Sequence, residues 1–72
     1  MSDDAEYNEL KDRIVKYLSG LEVKPVDTTI NIAKAIGVKR REASKVLQRM
    51  EMEGLVQSAG VTAGVAGYKL IR

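Results

Sequence analysis

The chain has no cysteine, no histidine, no tryptophan and no phenylalanine, and a single proline among 72 residues. Without cysteine there is no disulfide. Without cysteine or histidine the usual zinc ligand sets cannot be assembled. The same two absences remove the Ser–His and Cys–His pairs of nucleophilic catalysis. So short a chain leaves little room for a substrate cavity of about 300 Å³ or more, and no catalytic residue, metal or cofactor is expected. No apolar run approaches the roughly 18 residues of a transmembrane helix, so no membrane partner is expected. The chain opens on Ser2, Asp3 and Asp4, with neither the basic nor the apolar region of a signal peptide, and the expected address is intracellular.

What remains is 44% hydrophobic and 31% charged residues, enough for one small domain folded on its apolar side chains. Below about 70–80 residues a single core rarely supplies more than 3–5 kcal/mol. The net charge of +2 is unevenly spread. Residues 1–10 hold Asp3, Asp4, Glu6 and Glu9 and no base, whereas residues 11–72 hold all 12 bases against 6 acids. Residues 1–5 are expected as an acidic flexible tail and residues 6–72 as the domain. Its basic balance favours a polyanionic partner.

Tyr7, Leu10, Ile14, Tyr17, Leu18 and Leu21 recur at spacings of three and four. This predicts an amphipathic helix over about residues 5–19, capped by Asp3 or Asp4 and stopped at Gly20. Its tyrosines are expected in the core, hydroxyls at the rim. Pro25 precedes a short extended segment, residues 26–29. Thr28 or Thr29 is expected to cap a second helix, residues 30–36, which ends on Gly37. Residues 39–53 are strong helix formers up to Gly54. Strands are expected at 55–58 and 67–71, joined by a glycine-rich loop at 59–67. Two helices across a tight glycine turn followed by a hairpin form a winged helix-turn-helix, an α+β fold of three helices and a small antiparallel sheet.

In the third helix a spacing of about 100° per residue turns Ala43, Val46, Leu47 and Met50 inward. Arg41, Ser44, Lys45, Gln48 and Met52 lie opposite, with Arg49 to one side. Residues 39–49 carry five bases and one acid. Such a face suits a nucleic-acid duplex: cations neutralise phosphates, and serine and glutamine can bond phosphates or base edges.

The run Ile32-Ala33-Lys34-Ala35-Ile36-Gly37-Val38, followed by Ala43, resembles the helix-turn-helix pattern. More narrowly, residues 13–72 resemble the Z-alpha family of winged helices, which bind left-handed Z-form DNA and RNA. The resemblance is carried by the segment 13–18, the Tyr17-to-Gly37 spacing, the segment 39–50 and Tyr68-Lys69-Leu70. It implies Arg40 and Arg41 in place of two lysines, Ser44 in place of a phosphate-binding asparagine and Lys45 in place of an arginine. Gln48 stands where the family has a base-packing tyrosine, and Tyr68 where a tryptophan supports it. The family's paired prolines in the wing are missing.

The expected nucleic-acid-binding residues are therefore Lys39, Arg40, Arg41, Ser44, Lys45, Gln48, Arg49, Thr62 in the wing, and Tyr68 behind the helix. Three readings stay open. One is backbone and shape recognition of double-stranded DNA or RNA, including the Z form. Another is a winged helix used for protein–protein contact or dimerisation, favoured by the absent tyrosine, the uncharged wing, exposed Met52 and the acidic start. The last is a small B-DNA transcription regulator.

Overall fold

A computed structural model describes residues 2–71 of the chain. The elements run α1 (Ser2–Ser19), β1 (Val26–Thr28), α2 (Thr29–Ile36), α3 (Arg40–Met52), β2 (Val56–Thr62) and β3 (Val65–Leu70). The three strands form an antiparallel sheet in the order β1-β3-β2. This is the expected winged helix-turn-helix, an α+β fold.

α1 starts earlier than its periodicity predicts. Residues 2–5, expected as a tail, are helical, and Asp4 lies inside the helix rather than at its cap. Met1 lies outside the described residues. Acidic residues suit a first turn, where the N–H ends carry partial positive charge. Asp4 also gains a partner on α3, accepting from Arg49 Nη1 at 3.2 Å. The helix buries Tyr7, Leu10, Ile14 and Leu18 against the other two helices and the sheet, while Tyr17 and Leu21 pack at the edge.

The two neighbouring threonines of the α2 start divide the work. Thr28 caps, its hydroxyl accepting from Asn31 N at 3.2 Å. Thr29 is buried and donates to the Ala66 carbonyl at 2.8 Å, which fixes α2 to β3. Asp27 joins three elements: it accepts from Tyr17 Oη at 2.6 Å, Asn31 Nδ2 at 2.9 Å and Thr28 N at 2.7 Å. α2 ends on Gly37, whose φ of 77° is the left-handed conformation that glycine adopts without steric cost. Gly37 N and Val38 N both donate to the Ala33 carbonyl, closing the turn between α2 and α3.

The segment 59–67 departs from the expected loop. β2 runs on through Thr62, and β3 begins at Val65. The connection is only Ala63 and Gly64, with φ of 52° and 78°. Positive φ at both central residues is the signature of the tight hairpin turn whose twist matches that of the strands. Gly60, with φ of 88°, sits at a bulge between Ser58 and Val61. The glycines therefore mark a bulge and a turn inside a ladder. Apart from Val56, β2 is exposed throughout, so no alternation of apolar side chains announces it.

Candidate nucleic-acid interface

α3 is oriented by its buried side. Ala43, Val46, Leu47 and Met50 are the buried residues, as the helical spacing predicts. Leu47 and Met50 are fully enclosed. This fixes the outer face: Arg40, Arg41, Lys45, Gln48, Arg49 and Met52 are exposed and Ser44 is half-buried.

Lys39 stands at the N-cap in extended conformation, and its side chain makes no capping hydrogen bond. Lys39, Arg40 and Arg41 stand together at the first turn of the helix. Lys39, Arg41, Glu42 and Lys45 line a shallow depression of about 130 Å³ at this end of the helix. Among the described residues none of Lys39, Arg40, Arg41 and Lys45 makes an ion pair within 4.0 Å. One turn further on, Gln48 Nε2 donates to Ser44 Oγ at 3.3 Å.

Arg49 is placed differently from the other bases of α3. It turns toward α1, pairing with Asp4 at 3.2 Å and Glu53 at 3.4 Å. Its guanidinium lies over the Tyr7 ring, 3.9 Å from the centroid. Tyr7 in turn donates a short hydrogen bond to Glu53. Burial, then the Glu53 hydrogen bond and charge, push the Tyr7 hydroxyl up to about 12, although Arg49 opposes them. Glu53 is held below the usual carboxylate range, first by the Tyr7 hydrogen bond and then, against some burial, by Arg49.

Tyr68 is buried on β3, opposite Asp27 and Ser58. Burial raises its hydroxyl pKa, and the charge of Glu51 adds to the effect. It is a core residue of the sheet. Thr62 is exposed at the tip of the wing, opposite Val65 and next to the Ala63–Gly64 turn. The wing between residues 54 and 68 carries no charge. The structure thus places Arg41, Ser44, Lys45 and Gln48 on the outer face of α3, with Lys39 and Arg40 exposed at its N-terminal end. Arg49 stands on the flank facing α1, Thr62 on the wing and Tyr68 in the core.

The tie from Asp4 and Tyr7 to Arg49 and Glu53 is not readable from the sequence. Arg49 and Glu53 are four apart, a spacing that signals a helix-surface pair. Nothing local links either to residues more than forty positions away.

The FaeA-like protein family matches residues 10–72. The chain belongs to the FaeA-like family, whose members have a winged-helix domain. Its fold is similar to that in the crystal structure of the AntR antimony-specific transcriptional repressor, with a TM-score of 0.66. That likeness covers 99% of this chain and 68% of the repressor chain at 20% sequence identity. A comparison with curated proteins gives no match. What the sequence resemblance to the Z-alpha family shares with these findings is the winged helix; a Z-alpha relationship is not shown by either match.

Proposed function

We propose that this FaeA-like chain is the DNA-binding module of a transcription regulator, a binding protein rather than an enzyme, which sets α3 against double-stranded B-form DNA. The observation that carries this reading is the sorting of cations. Lys39, Arg40, Arg41 and Lys45 cluster at the start of α3 without an ion pair among the described residues. Exposed unpaired cations at a helix N-terminus are the arrangement that phosphates favour. The helix-turn-helix places such a helix end at the major groove. The likeness of the fold to a transcriptional repressor supports the same reading.

B-form DNA suits the face better than the Z form. Gln48 has no aromatic surface for a base to pack on and bonds to Ser44 instead. The uncharged wing adds no cation, and Thr62 offers a hydroxyl to the backbone. Affinity then rests on about four phosphate contacts from α3, and its logarithm should fall with the logarithm of salt at a slope near −4. A fluorescence anisotropy titration of a labelled mixed-sequence duplex at several salt concentrations measures this slope, with circular dichroism reporting whether the duplex stays right-handed. A slope near zero would sink the reading. Inversion of the spectrum of an alternating CG duplex would replace the B form with the Z form.

A further inference from the structure

With α3 read as the helix facing the duplex, one part of its exposed face is not explained by phosphate binding. Among the outward side chains of α3, Ser44 and Gln48 are polar and uncharged, and Glu51 lies exposed one turn after Gln48. Gln48 is the one carboxamide on α3. Residues four apart lie one turn apart on the same face. We infer that Gln48, oriented by Ser44, reads an adenine in the major groove.

The chemistry follows from the hydrogen-bond inventory. A glutamine amide has two N–H donors on nitrogen and an acceptor oxygen. Gln48 Nε2 uses one donor on Ser44 Oγ at 3.3 Å. When the N–H anti to Oε1 is the one on Ser44, the other donor and Oε1 lie side by side. Adenine presents the matching pair in the major groove, an acceptor at N7 and a donor at N6. Guanine presents two acceptors there, so it can satisfy the donor but meets Oε1 with another acceptor. Cytosine presents a donor and thymine an acceptor, each matching only half of the amide. Ser44 is half-buried at the base of this face. Its bond to Nε2 restricts the rotation of the amide and so lowers the ordering cost of a two-point contact. Lys45, three residues before Gln48, and Arg41, seven before it, hold the backbone and set the register. In this arrangement phosphate contacts position and the amide specifies.

The test uses the full chain and a pool of duplexes with a randomised centre, selected at roughly 0.15 M salt, where backbone binding alone is weakened. The enriched sequences should share one fixed A·T pair. Replacing that adenine by 7-deazaadenine, which lacks the N7 acceptor, should weaken binding by about tenfold. Gln48→Ala should abolish both the preference and the 7-deaza penalty while leaving the salt slope unchanged, since no phosphate contact is lost. Ser44→Ala should reduce the preference, and Ser44→Thr, which keeps a hydroxyl, should restore it. Enrichment of no A·T position, or an undiminished penalty in Gln48→Ala, overturns the adenine contact even with a slope near −4. Full discrimination in Ser44→Ala overturns the positioning role of Ser44. A pool from which nothing is retained, together with a slope near zero, overturns duplex binding itself.

Discussion

Ala63 is the one described residue other than glycine with a positive φ, at 52°. For a residue with a Cβ the left-handed region costs about 1–2 kcal/mol, because the Cβ crowds the following carbonyl. Asparagine tolerates this region better, and Asn-Gly is the preferred pair for a two-residue hairpin turn. Ala63→Asn is therefore expected to stabilise the protein by about 0.5–1 kcal/mol. A thermal melt of the variant checks this, and an unchanged or lower midpoint would show that the turn is not strained at Ala63. Other residue-scale features are plain in the sequence. Gly37 ends α2 and one of Thr28 and Thr29 caps it, because short polar side chains and a Cβ-free residue act on their immediate neighbours; the structure decides for Thr28. The turn at Ala63 is not plain, because alanine gives no signal for positive φ.

At the scale of the element, α3 carries two kinds of cation that the sequence does not separate. Lys45 faces outward beside Arg41, whereas Arg49 is held by Asp4, Glu53 and the Tyr7 ring. The two alanine variants should therefore fail in different ways. Lys45→Ala should weaken binding to every duplex and make the salt slope shallower by about one unit. Arg49→Ala should leave the slope near that of the parent and instead lower the thermal midpoint, because it loosens α1 from α3. Paired measurements of salt slope and melting temperature separate these outcomes. A slope change of one unit in Arg49→Ala would return this residue to the phosphate-binding set. The inward face of α3 follows from spacing alone, since four apolar residues at helical intervals admit only one rotation. The status of each outward cation depends on what α1 brings next to it.

The whole molecule has little stability to spare, about 3–5 kcal/mol for a core of this size, so its charged contacts set the pH range in which it stays folded. Asp27 is the junction of α1, β1 and α2. Burial pushes its pKa up, but hydrogen bonds from Tyr17, Asn31 and the Thr28 N–H outweigh this and hold it below the usual value. Glu53 is likewise depressed. A depressed carboxylate contributes stability above its unfolded pKa, and that stability is lost as pH falls through the folded value. The thermal midpoint should thus begin to fall below about pH 4, the ordinary carboxylate value. The tyrosines act at the other end. Tyr7 is pushed up to about 12, and Tyr17 is raised first by its hydrogen bond to Asp27 and then by burial. A raised phenol contributes stability that is full below its unfolded pKa and is lost as pH climbs to the folded one, here from about pH 10 to about pH 12. Melting curves across this range should show both declines, and Tyr7→Phe should soften the alkaline one. An identical alkaline limb in Tyr7→Phe would remove Tyr7 from this account.

The winged helix itself was legible in the linear chain. Helical spacing, caps, the Gly37 turn and the order of elements are local, and each acts over a few residues. The candidate face of α3 was legible too, because burying Leu47 and Met50 exposes Arg41, Lys45 and Gln48 on the opposite side. The length of β2 was not, because its residues past Val56 are held by ladder hydrogen bonds rather than by buried side chains, and backbone pairing leaves no pattern in composition. Nor was the helical state of residues 2–5, or the capture of Arg49. The capture of Arg49 depends on Asp4 meeting a residue 45 positions away. Only the packing of α1 across α3 brings those charges together, and so decides which cations of the helix remain free to meet a phosphate.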